Sequence, residues 1–153
     1  MSFEFHIGND NTKQIIEAMR EAALIALDAA GTQAATLARM ELQNSPSRID
    51  TGLLRNSITH AVCGEAPAIT TYSADRERQT GKGIETGSYD GVAPKPDDDS
   101  KPFVLVGTNV EYAGYVHEGT DRMAPNRFIK NAVQNNSGEL SEILSETLRK
   151  FNG

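Results

Sequence analysis

Residues 11–43 read NTKQIIEAMREAALIALDAAGTQAATLARMELQ, and through them Ile16, Met19, Ala23, Ala26, Ala30, Ala34, Leu37 and Leu42 recur at three- to five-residue steps. That spacing predicts one long helix with an apolar face. The polar run Asn9-Asp10-Asn11-Thr12 supplies oxygens that can cap its start, and Asn44-Ser45-Pro46 ends it, because proline disfavours helical geometry in the residue before it. The stripe is rich in alanine, which lets another backbone approach closely but buries little area per residue. Such a helix needs a large partner surface.

Downstream, Asp50-Thr51-Gly52-Leu53-Leu54-Arg55-Asn56 has the form of a capped single turn leading into a partly alternating strand, Ser57 to Cys63. A second strand is expected at Ala68-Ile69-Thr70-Thr71-Tyr72. From Ser73 to Lys101 periodicity is lost among Gly, Asp, Lys, Arg and Pro, which predicts a long, flexible loop insertion at about 73–101. The continuous apolar run Pro102-Phe103-Val104-Leu105-Val106-Gly107 suits a central strand covered on both faces.

Beyond it, Tyr112, Tyr115 and Val116 are expected on one face of a short helix stopped by Gly119. Pro125 opens the last helical region, with Phe128, Ile129, Ala132 and Val133 at helical spacing. Leu140, Ile143, Leu144, Thr147, Leu148 and Phe151 then give an amphipathic helix, which Gly138 either breaks or kinks. The order helix, strands, helix predicts a single α+β domain over 1–153. Its parts are a long N-terminal helix, a small antiparallel β-sheet with the loop insertion, and a C-terminal amphipathic helix packed on the sheet.

At 153 residues the chain suits one core. Its composition, 38% hydrophobic and 24% charged, leans slightly polar, as a long loop would make it. No apolar run is long enough to cross a bilayer, and Met1-Ser2-Phe3-Glu4-Phe5-His6 lacks the basic and apolar regions of a signal peptide, so synthesis in the cytoplasm is expected. A single cysteine, Cys63, excludes an intramolecular disulfide or a multi-thiolate metal site. A formal charge of −6 argues against a coat for nucleic acid, whose sequence-independent affinity comes from Lys and Arg on phosphates.

Several short constellations have the makings of chemistry. Asp50-Thr51-Gly52 matches the aspartic-protease tripeptide, one copy of which suffices in a homodimer, but Pro46-Ser47-Arg48-Ile49 before it and Leu53-Leu54-Arg55 after it are the wrong surroundings. Helix capping reads better. His117-Glu118 opens like His-Glu-x-x-His, yet Asp121 stands where the second histidine belongs and Gly119 interrupts the helix. Gly81-Lys82-Gly83 lacks the rest of a phosphate loop, and Asp97-Asp98-Asp99 reads as solvated surface or a weak cation site. Cys63 reads as a buried inert thiol, and His6 and His60 as incidental. No catalytic residue, cofactor or metal is therefore expected.

Two segments together resemble the tail-component family of siphophages, the head-tail joining or tail-completion proteins. The first, Thr51-Gly52-Leu53-Leu54-Arg55-Asn56-Ser57-Ile58, is similar to the family's Thr-Gly-x-Leu-Arg-x-Ser-Ile pattern. The second runs from Val106 through Tyr112-Ala113-Gly114-Tyr115-Val116-His117-Glu118-Gly119-Thr120 to Pro125 and Phe128, and resembles the block Tyr-Ala-x-Tyr-Val-Glu-x-Gly-Thr with its Pro-Phe-Leu tail. His117-Glu118 replaces the commoner Glu-Phe, Asn126-Arg127 separates Pro125 from Phe128, and the insertion is long for the family. The order of elements also matches the family's.

The resemblance implies a non-enzymatic virion protein of a tailed bacteriophage at the neck or tail top, made in the host cytoplasm. Its working form would be a sixfold homo-oligomeric ring joining the connector, or head-closure protein, to the tail tube or tail-terminator protein. Genomic DNA would pass through the ring without specific binding, and no membrane is involved. Tyr112, Tyr115, His117, Glu118, Gly119, Thr120 and Arg127 are the candidate interface, since tyrosine combines large area with a polar tip, although both tyrosines could instead fill the core. A head-closure stopper or tail-terminator subunit is the near alternative. From other classes come a homodimeric aspartic protease using Asp50 and a small monomeric adaptor.

Overall fold

A computed structural model describes residues 12–44, 53–65, 70–75, 84–89, 93–97 and 101–152. Its helices are α1 (Thr12–Gln43), α2 (Leu53–Ser57), α3 (Ala113–Glu118), α4 (Phe128–Asn135) and α5 (Ser137–Asn152). Its strands are β1 (Thr59–Val62), β2 (Thr70–Asp75), β3 (Ile84–Tyr89) and β4 (Val104–Gly107). The expected α+β class is observed, with the long helix first, a small antiparallel sheet and closing helices. The expected caps at Asn9–Asn11 and Asp50–Gly52, and the incidental His6, lie outside the described residues.

Helix α1 is the axis of the fold, packing against β1, β4, α4 and α5. Its buried residues include Ala22, Ala26, Ala30, Ala34, Ala38 and Leu42, one every four positions. At 100° per residue a four-residue step advances the stripe by about 40°, so the buried line winds around the helix and meets a different partner at each end. This corrects the expected stripe at its start: Ile16 and Met19 are exposed. The core gathers Ala35, Ala38 and Leu42 of α1 with Leu54, Ile58, Ala113, Val116, Phe128 and Ala132, and Val106 and Met123 pack against it. The closing helices thus share the core with the sheet through α4, while α5 lies along α1.

Strands β1 and β4 pair antiparallel, Thr59 opposite Gly107 and Val62 opposite Val104. Directly opposed residues share a face, so His60, Val62, Val104 and Val106 turn to one side. That side meets α1 at Gly31, where a Cβ would lie 2.6 Å from Val104 Cγ2 and 2.8 Å from His60 Cδ2. Only glycine lets the sheet come this near. The expectation of a central β4 covered on both faces is not met: among the described residues β4 pairs only with β1, and Leu105 is 48% exposed. Its apolar run reflects one packed face and one open one.

Part of the expected insertion is a strand. β3 pairs antiparallel with β2 from Thr70↔Tyr89 to Asp75↔Ile84, and this hairpin lies beside α2. Backbone pairing needs no apolar alternation, which is why Gly, Ser and Glu within β3 hid it. The final region breaks at Asn136, not at Gly138: Asn136 Nδ2 donates to Ala132 O at 2.9 Å and stops α4, while its carbonyl accepts from Leu140 N at 3.0 Å and starts α5.

Candidate functional site

Helix α3 is six residues long and reaches the core through Ala113 and Val116, which are 9% and 8% exposed. Tyr112 and Tyr115, each one position earlier, sit about 100° around the axis and point away. They are 37% and 65% exposed. The expected common face of Tyr112, Tyr115 and Val116 is therefore corrected, and Tyr115 does not fill the core. The two tyrosines, three residues apart, are neighbours on the surface.

The segment after α3 is held firmly. Gly119 N donates to Tyr115 O at 2.9 Å, and Gly119 takes φ 80°. A Cβ there would also lie 2.7 Å from Pro125 N and 2.8 Å from Met123 O, so both conformation and space require glycine. Thr120 and Met123 exchange backbone hydrogen bonds of 2.8 and 3.2 Å, and Asn126 N returns to Val116 O at 2.9 Å. The chain from Tyr112 to Phe128 is thereby one rigid loop on the core.

His117 lies with its ring edge-on to Phe128, centroids 5.4 Å apart. Its Nδ1–H donates to Glu118 Oε1 at 2.9 Å, and Arg127 Nε stands 3.9 Å from Glu118 Oε2. The histidine hydrogen bond, helped by the positive charges of Arg127 and Lys130, outweighs desolvation and holds the Glu118 carboxyl below its usual pKa. Tyr112, Tyr115, His117, Glu118, Thr120 and Arg127 are thus brought onto one loop with mixed charge and two exposed aromatic rings.

The residues of the family-like motifs divide in two. Leu54, Ser57, Ile58, Ala113, Val116 and Phe128 are buried; Arg55 is half-buried, with Nε 3.4 Å from Asn56 Oδ1, and Pro125 is exposed. Thr51 and Gly52 lie outside the described residues. The place of Ser57 in its motif has a chemical reason. Val110 N donates to Thr108 Oγ1 at 3.1 Å, the Thr108 hydroxyl meets Ser57 Oγ, and Ser57 O–H donates to Leu54 O at 2.7 Å. This chain of hydroxyls joins the first motif to the segment leading into α3. A threonine that accepts from the backbone N–H two residues on is a hydroxyl-capped turn, a signal at Thr108 that the spacing of apolar residues does not carry.

His60 has a structural role that spacing did not suggest. Its Nε2 faces Asp28 Oδ1 at 2.8 Å and Thr32 Oγ1 at 3.3 Å, tying β1 to α1. A proton relay engages the two ring nitrogens separately, whereas here carboxylate and hydroxyl share one. Cys63 is a buried free thiol after β1. Among the described residues no three His, Cys, Asp or Glu side chains converge as a metal site, and no helix is long and apolar enough to cross a membrane. No family model, curated protein or solved structure matches the chain.

Proposed function

We propose that this protein is a non-enzymatic structural subunit of a tailed bacteriophage, a tail-completion protein of the neck. Copies would assemble as a ring around the DNA path, between the connector or head-closure protein and the tail tube or tail-terminator protein. The observation that carries this reading is the loop from Tyr112 to Phe128. The buried residues of its family-like motif fix the loop to the core, the motif's Tyr112 and Tyr115 are exposed, and so are Glu118 and Arg127, which stand where the chain departs from the pattern. A rigid surface bearing exposed tyrosines and both charge signs is suited to docking another protein.

The net charge of −6 fits a channel wall past which DNA slides without adhering. The test is complementation of a phage lacking this gene. The wild-type chain should restore infectious particles, and Tyr115→Glu should yield full heads and finished tails that stay apart. Wild-type protein that neither complements nor binds tail tubes would remove this reading. Peptide cleavage lost on Asp50→Ala would replace it with the protease.

A further inference from the structure

Strand β4 has an edge that β1 does not use. Cys63 N donates to Phe103 O at 3.0 Å, and in the antiparallel register running on from there Leu105 and Gly107 are the residues hydrogen-bonded to Ala61 and Thr59. Alternation then turns the N–H and C=O groups of Val104 and Val106 away from β1, to an edge with which no strand pairs among the described residues. The same alternation puts Phe103, Leu105 and Gly107 on the face opposite α1. Leu105 is 48% exposed there, and among the described residues nothing lies within 4 Å of where a Gly107 Cβ would be. A recess of about 250 Å³ opens beside that glycine, against Thr59, Ala61 and Leu105.

We propose that β4 pairs edge to edge with β4 of a second copy of the chain, antiparallel about a two-fold axis at Leu105, so that the sheets of the two copies become one. The backbone is the first reason. With Leu105 opposite Leu105 of the second copy, Val104 faces Val106 and Val106 faces Val104, and each pair exchanges the N–H and C=O groups that β1 leaves free. No other residue can sit on the axis and pair these groups with one another. Side-chain fit is the second reason. A two-fold contact needs projection and recess within one patch, because each copy offers the same surface to the other. This register sets Phe103 against Gly107 of the second copy, a large ring beside the open space over a glycine, and brings the two exposed Leu105 side chains together on the same face. Pro102 has no N–H to offer and ends the ladder, which keeps the contact short. The pairing is separate from the Tyr112–Phe128 loop and does not rest on the virion reading.

Sedimentation equilibrium and amide hydrogen exchange of the full chain test it. The wild type should form dimers, and Leu105→Lys, which sets like charges directly opposite each other, should weaken them by at least about tenfold. Leu105 is already exposed, so the circular dichroism of the subunit should not change. In the dimer the amides of Val104 and Val106 should exchange slowly, and in Leu105→Lys they should exchange fast, while Leu105 and Gly107, bonded to β1, stay slow in both. In a Cys63→Ser background, Leu105→Cys should oxidise to a linked dimer, since directly opposed residues of this kind stand about 4.5 Å apart at Cα, within the reach of a disulfide. A monomeric wild type, a dimer indifferent to Leu105→Lys, or a dimer in which Val104 and Val106 exchange fast would overturn the proposal. So would slow exchange at Val104 and Val106 in a monomer, which would give the edge to another part of the same chain.

Discussion

Asp28 on α1 and His60 on β1 meet through Oδ1 and Nε2 at 2.8 Å, one turn before the glycine over which the sheet rests. The hydrogen bond and the close approach belong together, because a longer side chain at Gly31 would push His60 away from Asp28. An alanine in a helix interior ordinarily gains about 1 kcal/mol over glycine. Overpacking costs about 1–3 kcal/mol, and neither Val104 nor the His60 ring is a flexible end that can swing clear. Gly31→Ala should therefore lower stability in urea unfolding, and Gly31→Val should lower it further. A stabilised Gly31→Ala would mean that the sheet slides along α1 at little cost.

Phe128 and Tyr115 should respond oppositely to truncation. Phe128 is 1% exposed at the centre of the core, so Phe128→Ala should cost about 3–5 kcal/mol. Tyr115→Ala removes a ring already in solvent and should stay within about 0.5 kcal/mol of wild type. Thermal melts of the two variants decide this, and a large loss at Tyr115 would return that residue to the core.

Ser57→Ala should cost about 1–3 kcal/mol although it deletes one oxygen, because Leu54 O loses the Ser57 donor and the Thr108 hydroxyl keeps only its bond from Val110 N. Replacing both Ser57 and Thr108, by Ala and Val, should cost less than the two single losses added. A double-mutant cycle with no coupling would show that the hydroxyl chain contributes nothing beyond its parts.

Glu118 should titrate below the ordinary carboxylate value, and His117→Ala should raise its midpoint, as the chief cause of the depression is the His117 hydrogen bond. A folded-state pKa below the unfolded one stabilises the native state at neutral pH, and the contribution is lost as the pH falls through the lowered value. The Glu118 side chain is 66% exposed, so the effect on global unfolding should be small and the NMR titration is the sensitive measurement. An unmoved midpoint in His117→Ala would reassign the depression to Arg127 and Lys130.

Periodicity and end signals in the sequence determined the long helix, the strand positions at 59–62 and 104–107, the stop at Gly119 and the amphipathic closing helix, because these arise from forces acting within a few residues. The tertiary structure decided which side of each element is covered. Ile16 and Met19 continue the apolar pattern of α1 but extend past the sheet that buries its later alanines. Tyr115 and Val116 are adjacent in sequence and separate into solvent and core, since α3 turns only one face to the core. The β2–β3 ladder was hidden because backbone hydrogen bonds leave no mark on side-chain patterning. Likewise the His60–Asp28 contact joins residues 32 apart, a distance over which local sequence carries no information and only the packing of β1 on α1 brings them together.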